Sequence, residues 1–69
     1  MVKLDVMRVL VAQKFVQGTV LAQKLEETGE SLIVEGNKWG DTFWGVCKGQ
    51  GHNWLGRLIM AQREINRNS

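Results

Sequence analysis

The side chains best suited to chemistry are concentrated in one segment of this sequence, residues 35–57. The segment contains the single histidine, the single cysteine and six of the eight glycines. Tryptophan offers a broad apolar ring and one N–H donor, and glycine lets the backbone approach a ligand or another backbone closely. Rings among glycines indicate a shaped surface, which is either a ligand site or a tightly turned core. The segment also holds all three tryptophans: Trp39, Trp44 and Trp54.

Asp41 stands between a glycine and a run of residues rich in aromatic rings. A carboxylate beside such rings is suited to accept hydrogen bonds from sugar hydroxyls. The alternative is an Asx-type turn, in which the aspartate side chain accepts hydrogen bonds from backbone N–H groups just after it. The spacing alone favours the turn and leaves the sugar contact open.

His52 and Cys47 are the residues whose side chains suit acid–base or nucleophilic chemistry. A histidine can exchange protons near neutral pH, but no serine, cysteine or acid surrounds His52 in a recognisable catalytic pattern. Cys47 lies in an apolar stretch, which favours a small buried residue over a reactive thiolate. One cysteine and one histidine are too few for a four-ligand zinc site. We therefore predict a histidine in a surface loop, a buried cysteine, no metal and no cofactor.

The glycine-rich stretch from Gly49 to Gly56 resembles a phosphate-binding loop only loosely. Trp54 occupies the position of the third glycine in G-x-G-x-x-G, and no Gly-Lys-Ser/Thr follows. A glycine-rich turn before a helix start still offers backbone N–H groups and a favourable dipole to an anion. The stretch therefore predicts an anion site at the start of the last helix.

The elements that must position these residues begin with two helices. The period of the apolar residues predicts a first helix over Lys3–Val16 and a second over Val20–Thr28. Thr19 is suited to cap the second helix, and Gly29 to end it. The apolar run that follows predicts a strand over Ser31–Glu35. The inner face of the first helix is expected to comprise Leu4, Met7, Leu10, Val11 and Phe15.

A turn at Gly36-Asn37 separates that strand from a second strand, which is predicted over Thr42–Cys47. A final helix is predicted from Trp54 to about Asn66, with Asn53 as its N-cap. Gly45 within a strand and Gly56 within a helix both indicate a close approach of another group. The inner face of the final helix is expected to comprise Leu55, Leu58, Ile59, Gln62 and Ile65.

Length and composition indicate one small folded domain spanning residues 1–69. The order of the predicted elements makes it an α+β domain, with about three helices and a short two-stranded sheet. The net charge of +2 is too small and too scattered to favour nucleic acid. Neither an apolar run of membrane-spanning length nor a signal-peptide pattern occurs, and the lone cysteine agrees with a reducing compartment. We expect a cytoplasmic protein that does not associate with membranes.

Several motifs together resemble the carboxyl-terminal half of the NADAR (YbiA-like) family, and they occur in the family's order. The Leu25 to Gly29 segment ends in Thr-Gly, and the predicted strand leads to Glu35. The remaining motifs are KF-x-Q at Lys14 to Gln17, D-x-F-W-G at Asp41 to Gly45, G-x-N-x-L-G at Gly51 to Gly56 and L-x-M-x-x-R at Leu58 to Arg63.

The resemblance implies an α/β family fold, of which this chain is half, and a link to the cleavage of N-glycosidic bonds in ribosylated nitrogen compounds. It implies ADP-ribose or another ribosylated small molecule as the ligand, with Trp44 as a stacking face and Asn53 near ribose or phosphate. The motif positions expected to bind the ligand are Asp41, Trp44, Gly45, Asn53, Leu55 and Gly56.

The family's amino-terminal half carries a Glu-His-x-x-Gln-x-x-Lys type motif with an acidic residue linked to catalysis, and nothing in residues 1–17 matches it. We therefore predict a truncated module that keeps ligand-binding segments, with no catalytic residue assigned and its activity as an enzyme left open. The alternative is a non-catalytic interaction or inhibitor protein that binds another protein through an uncovered apolar face. In either case we expect a homodimer or a protein partner.

Overall fold

The computed structural model describes residues 2–68, which form three helices and one two-stranded parallel sheet. This architecture confirms the predicted α+β class. No helix among the described residues is long and apolar enough to cross a membrane. The elements in chain order are α1 (Val2–Lys14), α2 (Val20–Glu27), β1 (Gly36–Asn37), β2 (Val46–Cys47) and α3 (Trp54–Arg67).

Helix α3 is the centre of the fold, because both α1 and α2 pack against it. Its buried side includes Leu58 together with the polar residues Gln62 and Arg63. No large side chain among the described residues is completely buried, so the core is thin, as expected for a chain of this length. The buried apolar residues are Val11, Ala22, Leu25, Cys47 and Leu58.

The predicted helices are confirmed, although not every residue assigned to their inner faces lies inside. The Thr19 hydroxyl caps α2 by accepting a hydrogen bond from the Ala22 N–H at 3.2 Å, and Gly29 follows the helix with a positive φ of 63°. Leu10 and Ile65 are 51% and 54% exposed, which contradicts their prediction as core residues. The buried residue of α1 is Val11, the neighbour of Leu10, and Ile65 lies in the last turn of α3.

The strand predicted over Ser31–Glu35 is wrong, because this segment has no regular secondary structure. Its backbone groups pair with side chains of α3 and of the residue before it, not with a neighbouring strand. The Ile33 N–H bonds to the Met60 sulfur at 3.4 Å, and Arg63 donates to the Ser31 carbonyl at 3.0 Å. The Asn53 amide pairs with the carbonyl of Ile33 and the N–H of Glu35, both at 2.9 Å. Strand pairing begins only at Gly36.

The second predicted strand, over Thr42–Cys47, is correct only at its end. Val46–Cys47 pairs in parallel with Gly36–Asn37, with Gly36 opposite Val46. The carbonyl groups of residues 42–45 instead accept hydrogen bonds from the N–H groups of residues 52–55, at 2.8 to 3.3 Å. The carbonyl groups of residues 42–45 therefore bind the backbone at the start of α3 and are not available for pairing in a sheet.

Gly45 allows the segment before β2 to lie directly against the segment before β1. A Cβ atom there would collide with the Glu35 carbonyl oxygen and lie 2.8 Å from the Asn37 side-chain nitrogen. The close approach predicted at Gly45 is confirmed. It brings the motif residues around Trp44 next to Glu35.

Candidate functional site

A small cavity of about 120 Å³, here called the Trp44 cavity, opens between the two strands and the start of α3. It brings together four of the six predicted ligand-binding residues: Asp41, Trp44, Gly45 and Leu55. Two separate motifs of the sequence therefore converge on one concave surface. The other residues that line the cavity are Glu35, Gly36, Asn37 and Trp39.

The loop that carries Asp41 is held by reciprocal hydrogen bonds with Asn37. The Asn37 amide donates to the Asp41 carbonyl at 2.8 Å and accepts from the Asp41 N–H at 3.0 Å. The Asp41 Oδ1 atom accepts from the N–H groups of Phe43 and Trp44, at 3.0 and 2.9 Å. The predicted Asx-type turn is thus present. Within residues 2–68, the second carboxylate oxygen of Asp41 has no partner.

The two tryptophans of the cavity differ in how firmly they are held. Trp44 is half-buried, and its ring meets Phe43 edge-on with centroids 4.8 Å apart. Trp39 is 79% exposed, which leaves most of its ring surface open. The third tryptophan, Trp54, lies outside this cavity, and the Arg57 guanidinium is 4.7 Å from its ring centroid.

Asn53 and Gly56, the other two predicted ligand-binding residues, lie beside the cavity and are not among its lining residues. Asn53 is the N-cap residue of α3 with φ 54°, but its side chain makes no cap hydrogen bond. Its amide instead fastens residues 33–35 to the helix. A Cβ atom at Gly56 would lie 2.5 Å from that amide and collide with the Ile33 carbonyl oxygen. Both residues therefore support the wall that Glu35 forms.

Four N–H groups around the start of α3 are already paired within the chain. The N–H groups of residues 52–55 are donated to the carbonyls of residues 42–45. The chain's own backbone therefore occupies most of the donors on which the predicted anion site at this helix start depends.

His52 and Cys47 lie where the sequence predicts. His52 is exposed, and Cys47 is buried with a free thiol. Among residues 2–68, no group of three or more histidine, cysteine, aspartate or glutamate side chains is arranged to hold a metal ion.

Glu35 is a cavity residue that sequence reasoning did not select. Its backbone is fixed on both sides: the N–H donates to Asn53, and the carbonyl accepts from the Val46 N–H at 2.8 Å. The residue is half-buried, and its carboxylate has no hydrogen-bond or ion-pair partner within the described part of the chain. The available signal was its position, directly after an apolar run and at the start of the tryptophan-rich segment.

A second cavity, here called the α1–α3 cavity, adjoins the first and has a volume of about 280 Å³. It shares Glu35 and Leu55 with the Trp44 cavity. Its walls are mostly apolar, with one amine from Lys14. The lining residues are Met7, Leu10, Val11, Lys14, Phe15, Glu35, Leu55 and Ile59.

Two wider clefts lie elsewhere on the described surface. The larger, about 520 Å³, lies between the start of α2 and the end of α3, and no aromatic ring lines it. The other, about 460 Å³, lies between residues 38–42 and the turn that follows β2. Of the predicted ligand-binding residues, neither cleft contains any.

Comparison with known proteins decides the family. The family model described as the NADAR domain matches residues 1–66. The chain belongs to the NADAR family. The motifs that converge on the Trp44 cavity are thus motifs of a NADAR domain, as the sequence resemblance indicated.

Two relatives have curated names. A riboflavin biosynthesis protein of Vibrio vulnificus (strain YJ016) is 42% identical over 64 residues, which cover 91% of this chain and 17% of that protein. An N-glycosidase of Nostoc punctiforme (strain ATCC 29133 / PCC 73102) is 39% identical over 69 residues, covering 99% of this chain and 44% of that protein. This NADAR chain thus spans less than half the length of either relative. No solved structure matches it significantly.

Proposed function

We propose that the Trp44 cavity binds the ribosyl part of ADP-ribose or of another ribosylated nitrogen compound. The observation that supports this function is the convergence of Asp41, Trp44 and Gly45 from one motif with Leu55 from another on a single cavity. Sites for small molecules are typically concave, with apolar and aromatic walls and a few well-placed polar groups. The Trp44 cavity has this composition.

Asp41 is the polar group of the cavity that suits a sugar hydroxyl. Asp41 keeps one oxygen free of internal hydrogen bonds, and a carboxylate oxygen accepts from hydroxyl groups. The other oxygen is fixed by two backbone N–H groups, so the carboxylate is held in place before a ligand arrives. A fixed acceptor lowers the entropic cost of binding.

The aromatic groups add a stacking surface at the mouth of the cavity. Trp39 presents an open ring, and the half-buried Trp44 ring is braced by Phe43. A flat ligand ring or the apolar face of a sugar can pack against such surfaces. The proposed ligand therefore lies between the free Asp41 oxygen and the tryptophan rings.

The names of the relatives support the substrate class without extending to the complete reaction. One is a riboflavin biosynthesis protein and the other an N-glycosidase, and this chain corresponds to 17% and 44% of their lengths. We assign ribosyl binding to this chain, with ADP-ribose as the probe.

Calorimetric titration of ADP-ribose into the full chain and two tryptophan variants tests this proposal. Trp39→Ala should weaken binding about tenfold, because stacking on an aromatic ring contributes roughly 1–3 kcal/mol. Trp54→Ala is the matched control, since that ring lies outside the cavity, and it should leave the affinity within about twofold. Equal losses in both variants, or no binding by the parent chain at millimolar ADP-ribose, would contradict the proposal.

The second candidate function, a protein-binding module, rests on the outer face of α1. Three large apolar side chains are exposed there, at the three- and four-residue steps of one helical surface: Val2, Val6 and Val9. A helix that carries apolar residues on its outer face as well as its inner face is usually buried on both faces. We propose that a second copy of the chain covers this face.

A further inference from the structure

The Trp44 cavity and the α1–α3 cavity share two residues, Glu35 and Leu55. Their volumes are about 120 and about 280 Å³. Each is smaller than the roughly 300–1,000 Å³ of ordinary ligand sites, whereas the two together fall within that range. A ligand of ordinary size would therefore need the space of both cavities, which meet at Glu35 and Leu55.

The two cavities suit two chemically different halves of such a ligand. The Trp44 cavity offers a carboxylate oxygen of Asp41 that is free of internal hydrogen bonds and suits a sugar hydroxyl. The α1–α3 cavity offers apolar walls, including Phe15, and the amine of Lys14 at one side. A heterocycle joined to ribose by one carbon–nitrogen bond has this division: a flat ring on one side and a sugar on the other.

On this basis, and resting on the function proposed above, we propose that the Glu35 carboxylate faces the N-glycosidic bond of the bound ligand. Glu35 is the acidic residue common to both cavities, so the residue stands where the two halves of the proposed ligand would join. Its backbone is fixed by Asn53 on one side and Val46 on the other. The carboxylate has no internal partner to neutralise it among residues 2–68.

A carboxylate in this position stabilises the charge that develops when the bond breaks. As the bond between the anomeric carbon and nitrogen opens, its electron pair leaves with the nitrogen and positive charge grows on the sugar. The negative Glu35 carboxylate lowers the energy of that charge. Water then forms a bond through its oxygen to the anomeric carbon. One proton of that water passes to the carboxylate and from it to the departing nitrogen, so the reaction consumes one water molecule.

Asp41 is less suited to this role, although it lines the Trp44 cavity. One of its oxygens already accepts two backbone hydrogen bonds, and it does not line the α1–α3 cavity. Asp41 therefore contacts sugar hydroxyls, and Glu35 contacts the anomeric carbon.

Two ribose mimics test the role of Glu35 without relying on turnover. One is an iminoribitol, in which a protonated nitrogen replaces the ring oxygen and imitates the charged sugar. The other is anhydroribitol, a neutral ring ether of the same shape. The parent chain should bind the cation at least about tenfold more tightly than the ether, because a charged partner at a half-buried carboxylate is favoured.

Glu35→Gln should abolish this preference while leaving the affinity for the neutral ether within about threefold. Glu30→Gln removes an exposed carboxylate outside both cavities, and it should keep the full preference. The glutamine variant retains the side-chain size and breaks no internal hydrogen bond, and a denaturation curve checks that it is folded. Amide shifts of Trp44 and Gly45 report where each mimic binds.

Each possible outcome bears on a different claim. A tenfold preference that Glu35→Gln removes and Glu30→Gln retains supports the proposal. Binding of the neutral ether at Trp44 without a preference for the cation overturns the role of Glu35 and leaves ribosyl binding intact. A preference that survives Glu35→Gln also overturns it. If neither mimic binds, ribosyl binding in the Trp44 cavity fails together with the role of Glu35.

Discussion

The side-chain oxygen of Asn53 accepts a hydrogen bond from the backbone N–H of Glu35 at 2.9 Å, and the nitrogen of the same amide donates to the Ile33 carbonyl at 2.9 Å. Asn53 thereby pairs with residues 33–35 as a neighbouring strand would. Since Asn53 is the N-cap residue of α3, this contact ties the start of the central helix to the wall between the two cavities. The stability of the fold and the shape of the site depend on the same amide.

Asn53→Ala should therefore destabilise the chain by about 1–3 kcal/mol, because two part-buried backbone groups lose their partner. Alanine also fits poorly at φ 54°, so Asn53→Gly, which loses the amide but tolerates this φ, should be less harmful by about 1 kcal/mol. Urea denaturation of the parent chain and the two variants measures the loss of the amide hydrogen bonds and the cost of alanine at this φ. Stability equal to the parent in both variants would show that the amide does not hold residues 33–35.

Gly56→Ala should destabilise the chain by more than about 2 kcal/mol. The added Cβ collides with the Ile33 carbonyl and lies 2.5 Å from the Asn53 amide. Overpacking of this kind typically costs about 1–3 kcal/mol, and the Asn53 hydrogen bonds are disturbed as well. At an open helix position the same change stabilises a protein by about 0.4–1 kcal/mol. Gly36→Ala, where no atom lies within 4 Å, is the control in thermal denaturation. A Gly56→Ala variant more stable than the parent would refute this contact.

Arg63→Met should cost about 2–3 kcal/mol in the free energy of unfolding. Arg63 is buried and donates to the Thr28 hydroxyl at 2.8 Å and the Ser31 carbonyl at 3.0 Å. Methionine leaves these acceptors without a donor. Arg8→Met, which removes an exposed arginine from α1, should change the stability by less than about 0.5 kcal/mol. Similar losses from the two variants in chemical denaturation would mean that Arg63 does not anchor residues 28–31.

The chain should associate into a dimer through the outer face of α1. Val6→Glu places a charge within the exposed apolar stripe and should return the protein to the mass of one chain at micromolar concentration. Leu32→Glu is the control, because Leu32 is 76% exposed but lies outside α1, and it should leave the dimer intact. Light scattering across a dilution series measures the mass. A parent chain that stays monomeric at every concentration would contradict this assignment.

The helices could be predicted from sequence because their apolar residues recur with the period of a helix, and because Thr19 and Gly29 mark the bounds of α2. The segment before Glu35 could not, since an apolar run does not specify its hydrogen-bond partners. Those partners are side chains of Asn53, Met60 and Arg63, up to 32 residues further along the chain.

Part of the candidate site could likewise be predicted from the sequence. Asp41, Trp44, Gly45 and Leu55 belong to recognisable motifs and meet in one cavity. The importance of Glu35 depends on where Leu55 and α1 come to lie beside it, which no local spacing reveals. Asn53 and Gly56 were selected as motif positions, and their packing against Ile33 is visible only in three dimensions.

The most direct test of ribosyl binding is the set of proton contacts between ADP-ribose and the full chain, measured as intermolecular nuclear Overhauser effects. The Trp44 cavity predicts contacts from the ribose protons to the Trp44 ring and the Leu55 methyl groups. The wider cleft between α2 and α3 provides the internal control, because its residues, such as Gln23, should show no contacts. Ribose contacts confined to Gln23 and its neighbours, with none to Trp44 or Leu55, would contradict the proposed site.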